Sequence, residues 1–252
     1  MSRHVLLVAR AVTHHGGEAT VRRLAVDVAA VVGAPVVACF LDGAAPSLHD
    51  ALDAAADAGA TEVLLVATHL PPDRYLDTWL RRAHADWAAG RRNPPPTSVA
   101  LPLAEQPALV TAVVAAVGGP VTPLTGRPGP FRAAAWTAVP RHRHHVLVCR
   151  GPRCTAYGAN DVAGALTGRL AAHGLGDDDV LVTSTGCLFP CSIGPVVVVH
   201  PDDSWYPHVD VGLAVRIVDE HLCGAGPLDG RPPRAGGTGD FADAAQVDRA
   251  ED

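Results

Sequence analysis

The chain of 252 residues carries 20 basic and 26 acidic side chains, a net charge of −6 with histidine neutral, and every basic residue is arginine. Hydrophobic residues make up 48% but aromatics only 4%, so cores of Ala, Val and Leu are expected, and the length accommodates two compact domains. No apolar stretch nears the ~20 residues of a membrane span, and Met1-Ser-Arg-His runs into a short apolar segment that soon reaches Arg10, unlike a secretory leader; a cytoplasmic protein is expected, with no membrane partner.

In chain order, His4–Val8 is a short buried strand and Thr20–Val32 a helix with Leu24, Val28 and Val31/Val32 as its apolar stripe. Pro35–Leu41 is a second buried strand. Ser47 caps a helix that runs to Ala58 and closes at Gly59. Thr61–Ala67 is a third strand, a helix from about Tyr75 to Ala89 ends at Gly90, Ser98–Leu101 is a fourth strand, and Pro107 opens a helix to Val117. Strands alternating with helices, each strand continuously apolar, predict an α/β domain over residues 1–117 with a parallel sheet covered on both faces.

Residues 118–144 form a linker. It is first rich in Gly and Pro and then basic, with the histidine-dense strip Arg141-His-Arg-His-His145. Such a strip suits transient metal binding or an acidic partner, or serves only as a soluble spacer. The part from about Arg141 to Cys223 is expected to fold alone. From Gly224 onward the chain is Gly-, Pro-, Ala- and Asp-rich and is expected to be a disordered acidic tail.

Between linker and tail, residues 145–223 carry four cysteines in two close pairs, Cys149/Cys154 and Cys187/Cys191. Each pair follows an apolar strand, His145–Val148 and Val180–Ser184, with a helix from Asn160 to His173 between them. A right-handed βαβ connection brings both strand ends to one sheet edge, so the two cysteine loops meet there. Four thiolates so placed can hold a tetrahedral metal, zinc being the plain alternative, or an iron–sulfur cluster. Pro195–His200 is then a buried strand, Ser204–Tyr206 a short aromatic strand, and Asp210–Leu222 an amphipathic helix. From His145 to Cys223 four arginines face nine acidic residues, a balance of −5. That argues against nucleic acid as a partner and suits docking to a basic redox partner. Cys39, in a buried strand, reads as packing, and Cys223 has no assigned role.

The segments "VLVCRGPRCTAYGA", "VTSTGCLFPCSIGPVVVVHP" and "WYPHV" together resemble the thioredoxin-like [2Fe–2S] ferredoxins. The resemblance implies a thioredoxin-like fold, a [2Fe–2S] cluster held by Cys149, Cys154, Cys187 and Cys191, and electron transfer to a redox partner protein. The first half, above all "FLDGAAPSLHDALDAAADAGATEVLLVATHL", resembles one unit of the sirohydrochlorin chelatases, which insert cobalt, nickel or iron into a tetrapyrrole. It departs from that family where chelation needs histidine. The first such position is Arg10, which neither ligates metal nor takes a proton, and the second falls near Tyr75. His14, His15 and His69 are candidate substitutes at the same sheet edge.

These resemblances imply a one-electron carrier serving cobalamin or sirohaem metabolism through a chelatase-like domain that does not chelate. The alternative is an active sirohydrochlorin chelatase carrying an iron–sulfur cluster. Arg10, His14, His15, His69 and Tyr75 are the candidate contacts to a tetrapyrrole or a metal. Members of both families commonly form dimers, so a homodimer is expected.

Overall fold

The computed structural model describes residues 2–11, 17–70, 73–122, 139, 141–224 and 226–228. Apolar runs bounded by Gly, Pro and Asp build four parallel strands: β1 (Arg3–Ala9), β2 (Val36–Phe40), β3 (Glu62–Ala67) and β4 (Thr97–Val99), in the spatial order β2-β1-β3-β4. Four helices accompany them: α1 (Gly17–Val32), α2 (Leu48–Asp57), α3 (Arg74–Ala89) and α4 (Pro107–Val117). The start of α2 is set by a reciprocal cap, in which the Asp50 N–H donates to Ser47 Oγ (3.2 Å) and the Ser47 N–H to Asp50 Oδ2 (2.9 Å). Gly59, with φ +77°, takes the left-handed turn after that helix. Leu6, Val8, Val63 and Leu65 of the sheet pack on Leu48, Leu52, Leu76, Leu80 and Trp87 of α2 and α3. Each such aliphatic side chain contributes about 1.5–3 kcal/mol by leaving water.

The opposite sheet face is covered as well, by α1, but less closely. Helix α1 packs there through Ala25 against Val5, Leu7 and Ala38. Beside it, Val5, Leu7, Leu64 and Val66 line a hollow of about 530 Å³ with Leu24, Val28 and Val32. Helix α4 buries none of its residues.

The second half holds a mixed sheet of β5 (His144–Cys149), β6 (Val180–Thr185), β7 (Val197–His200) and β8 (Ser204–Tyr206), in the order β6-β5-β7-β8. Strands β5 and β6 are parallel, while β7 and β8 are antiparallel to their neighbours. Its helices are the five-residue α5 (Pro152–Ala156), α6 (Ala159–Ala172) and α7 (Val211–Arg216), which runs on into a π-helical turn at Ile217–Leu222. Val146, Val148, Val197 and Val199 pack under Leu166, Leu170, Ile217, Val218 and Leu222. The other face carries Cys149, Val196 and Val198 with Leu147 and Trp205. The tail beyond residue 228 and most of the linker lie outside the described residues.

The halves are joined by more than chain. The Gly43 N–H, just past β2, donates to the Arg150 carbonyl (3.2 Å) and to Thr155 Oγ1 (3.1 Å). The Arg150 guanidinium donates back to the Gly43 carbonyl and to Asn160 Oδ1. The Tyr157 hydroxyl donates to Asp86 Oδ2 on α3 (3.1 Å). The C-terminal ends of β2 and β5 therefore face one another. No described helix is long and apolar enough to cross a membrane.

Candidate metal centre at the joint of two strands

Parallel pairing of β5 and β6 puts Cys149, the last residue of β5, level with Thr185, two residues before Cys187. The two cysteine loops touch: Cys149 Sγ is 3.3 Å from the Gly186 carbonyl oxygen. A Cβ added at Gly151 would stand 3.2 Å from Cys187 Cα, so only glycine lets the loops close this far. Cys154 rides on α5, which begins at Pro152 in its first turn. That short helix went unread in the sequence, although proline at a first helical position is its usual start signal. Gly194 leaves room for the Cys154 sulfur, since a Cβ there would lie 2.8 Å from Sγ.

Within the second loop, the Cys187 and Cys191 sulfurs are 3.3 Å apart, and the Phe189 N–H donates to Cys187 Sγ (3.3 Å). Phe189 holds φ +84°, a strained setting for a residue with a side chain, and the residue is 82% exposed. Cys149 and Cys154 are buried, Cys191 is intermediate and Cys187 is exposed. The Cys149 thiol is pulled down to about 6, first by its hydrogen bond with Cys154 and then by the Gly151 and Leu188 N–H groups, against its burial. Cys154 is raised as the partner that keeps the shared proton. Burial, then the bond with Cys187, pushes Cys191 up to about 11.

Backbone donors aimed at sulfur are the environment that stabilises clustered thiolates. Among the described residues, the cluster of three donors lying within 4.8 Å of one another does not involve these cysteines. The four sulfurs lie as two close pairs, one on each loop.

At the facing edge of the first sheet, the expected pair meets. Arg10 follows β1 and stacks over the Tyr75 ring, its guanidinium carbon 4.8 Å from the centroid. Arg10 also pairs with the buried Asp42 (2.9 Å) and with Asp73 (3.5 Å). Burial pushes the Asp42 carboxyl up, and Arg10 pulls it back. The Tyr75 hydroxyl is pushed up to about 12, by burial and next by the charge of Cys187, which places it within electrostatic reach of the cysteine loop. His69 Nε2 accepts the Asp73 N–H (2.9 Å), a link that shapes the entry to α3. His14 and His15 lie outside the described residues. Cys39 is fully buried and its thiol pushed up to about 12, in keeping with packing; Cys223 is exposed.

A βαβ unit whose strand ends bring four thiols together, followed by an antiparallel hairpin and a helix, defines an iron–sulfur protein of thioredoxin-like architecture. The family model of thioredoxin-like [2Fe-2S] ferredoxins matches residues 134–221. The chain is 33% identical over 103 residues to the 2Fe-2S ferredoxin of Aquifex aeolicus (strain VF5), spanning 93% of that protein and 35% of this one. It is 37% identical over 82 residues to a Priestia megaterium protein provisionally named a 2Fe-2S ferredoxin, spanning 63% of that protein's length and 32% of its own. Over 46% of its length it is similar to the solved structure of a Marinobacter aquaeolei VT8 protein provisionally named CbiX, for cobalamin biosynthesis. There the identity is 19% and the TM-score 0.41, with 94% of that chain covered. The chain belongs to the thioredoxin-like [2Fe-2S] ferredoxin family. Members of this family carry a [2Fe–2S] cluster and act as iron–sulfur electron carriers.

Proposed function

We propose that this chain is a one-electron carrier whose cluster is held by Cys149 and Cys154 from one loop and Cys187 and Cys191 from the other. The observation that carries the reading is the pair of close thiol couples at the joined ends of β5 and β6. When bound, the cluster supplies the reversible uptake of a single electron. The protein's part is to bury Cys149 and Cys154, to aim the N–H groups of Gly151, Leu188 and Phe189 at sulfur, and to leave Cys187 open. Each N–H that points at a thiolate favours added negative charge and so raises the potential. Exposed Phe189, beside exposed Cys187, is the point where a redox partner protein makes contact.

We further propose that the acceptor served by the first half is a tetrapyrrole of cobalamin or sirohaem metabolism, and that this half does not insert metal. Support for the acceptor comes from the sequence resemblance and from the placement of the Arg10–Tyr75 edge against the cysteine loops. A groove of about 500 Å³ between the halves, lined by Trp79, Arg82, Arg153 and Tyr157, offers a ring face and cations for a carboxylated macrocycle. Arg10, tied to Asp42 and Asp73, has no proton to give or take at neutral pH. The active chelatase remains the alternative, resting on His14, His15 and His69.

The test is anaerobic purification of the whole chain. The expected product is red-brown, holds two irons and two sulfides per chain, and bleaches with dithionite. Cys187→Ala and Cys191→Ala lose the colour. A colourless protein binding one zinc per chain sinks the reading.

A further inference from the structure

Strand alternation splits the histidine strip between the two faces of the second sheet. His145 meets Thr183 Oγ1 through Nε2 (2.8 Å), with the His142 ring 5.4 Å away. His144 takes the other face, shared with Val146 and Val148, and comes to rest beside His221 of the π-helical turn, ring centroids 5.8 Å apart. The third member is Asp202, from the turn between β7 and β8. His221 Nε2 lies 2.9 Å from Asp202 Oδ2, His144 Nδ1 lies 4.0 Å from the same oxygen, and one donor atom from each residue falls within 4.8 Å of the others.

A hydrogen-bond network alone explains only part of this arrangement. His221, with a fully buried side chain, donates from Nε2 to Asp202 while Nδ1 accepts from Tyr206 Oη (2.8 Å), which in turn accepts the Leu228 N–H (3.0 Å). That network ties the β7–β8 turn to the last helix. His144 Nδ1 is left over: it is buried, has no hydrogen-bond partner, and points to the carboxylate from beyond hydrogen-bond reach. A buried imidazole nitrogen without a partner forfeits the hydrogen bond it would make in water unless something else fills the gap.

We propose that His144, Asp202 and His221 bind a divalent transition-metal ion of the zinc, nickel or cobalt class. Two imidazole nitrogens and one carboxylate oxygen are a donor set of that class. Metal bonds of ~2.0–2.2 Å put tetrahedral donors roughly 3.3–3.6 Å apart. The 4.0 Å gap then closes, and the 2.9 Å contact opens, each by roughly 0.4–0.7 Å. His221 Nε2 gives up its hydrogen bond to Asp202 and offers its lone pair; the ring takes the Nδ1–H tautomer, and that N–H donates to Tyr206 Oη once the Tyr206 hydroxyl hydrogen has turned away from the ring. Tyr206 is thereby the outer partner that fixes the imidazole's orientation, a usual companion of a metal-bound histidine. Asp202 and His144 are partly exposed, 36% and 15% at the side chain, so the ion enters from their side and keeps a position for water. His144 opens β5 and Cys149 ends it, about 16 Å along the strand at ~3.3 Å per residue, so this site is separate from the cysteines.

The experiment is equilibrium dialysis of the anaerobic, cluster-bearing full chain against Zn²⁺, with metal analysis and visible absorption followed throughout. One zinc per chain is expected with the absorption unchanged. The affinity falls at least tenfold in both His144→Ala and Asp202→Asn, each checked for folding by circular dichroism, and is unchanged in His142→Ala and His145→Ala. The proposal is overturned by any of the following: no uptake by the wild type, wild-type affinity in either His144→Ala or Asp202→Asn, a loss that follows His142 or His145, or uptake that bleaches the cluster. A colourless wild type fails the ferredoxin reading and not this one, because the His144 and Asp202 variants still report on their own site.

Discussion

Replacing Gly194 with alanine tests whether the Cys154 sulfur is a fixed ligand. Gly194 has φ −71° and ψ 158°, which any residue adopts, so the change costs space and not backbone strain. The new Cβ would stand 2.8 Å from Cys154 Sγ and 3.4 Å from the Cys191 carbonyl oxygen. Ordinary non-bonded contacts lie at roughly 3.5–4.0 Å, so the sulfur must yield by about 0.7–1.2 Å. A free cysteine yields by rotating, at little cost. A ligand cannot, since bond lengths at a metal tolerate only ~0.2 Å. Overpacking of this size costs about 1–3 kcal/mol, a factor of roughly 5 to 150 in cluster retention. The assay is iron and sulfide content after anaerobic purification, followed by the decay of visible absorption under a chelator. Gly164→Ala is the control: it sits inside α6 with nothing within 4 Å of its added Cβ, and should keep the cluster while gaining about 0.5–1 kcal/mol of stability. Wild-type iron content and decay in folded Gly194→Ala would refute the assignment of Cys154.

The contact between the halves rests heavily on Arg150, so Arg150→Ala should leave the Gly43 carbonyl and the Asn160 side chain without their partner. The expected cost is about 1–3 kcal/mol, read as a lower thermal midpoint and faster proteolysis between the halves; an unchanged midpoint and cleavage pattern would show that the contact contributes nothing. In a spectrophotometric insertion assay with sirohydrochlorin and cobalt, nickel or iron, the wild type should not exceed the uncatalysed rate. A faster rate that collapses when His14, His15 and His69 are all replaced by alanine would promote the chelatase alternative.

Strong periodic signals were legible in the sequence, and the cysteine loops met where the strand–helix–strand order required. The Ser47 cap and the strand Ser204–Tyr206 were readable residue by residue, because each rests on local chemistry. What escaped was what depends on distance along the chain. His144, Asp202 and His221 are separated by 58 and 19 positions, and the strip Arg141–His145 looked like one basic patch until alternation sent its histidines to opposite faces. The contacts of Gly43 with Arg150 and of Asp86 with Tyr157 join single polar residues that carry no pattern. The hollow under α1 was hidden for the opposite reason: continuous apolar strands read the same whether a helix packs closely on them or leaves a gap. The π-helical turn that carries His221 looks, in sequence, like ordinary helix.

The bridge from Gly43 to Arg150 has a kinetic consequence. Arg150 is the residue next to Cys149, and Gly43 follows the end of β2. A molecule resting at the first sheet's edge is therefore already beside the sulfur loops before any collision takes place. Tethered partners meet at effective concentrations in the millimolar range, whatever the protein concentration in solution. On the proposed function, electron delivery to an acceptor held at that edge is unimolecular: its rate constant stays the same on dilution, and added salt, which slows encounters between separate, oppositely charged proteins, leaves it unchanged.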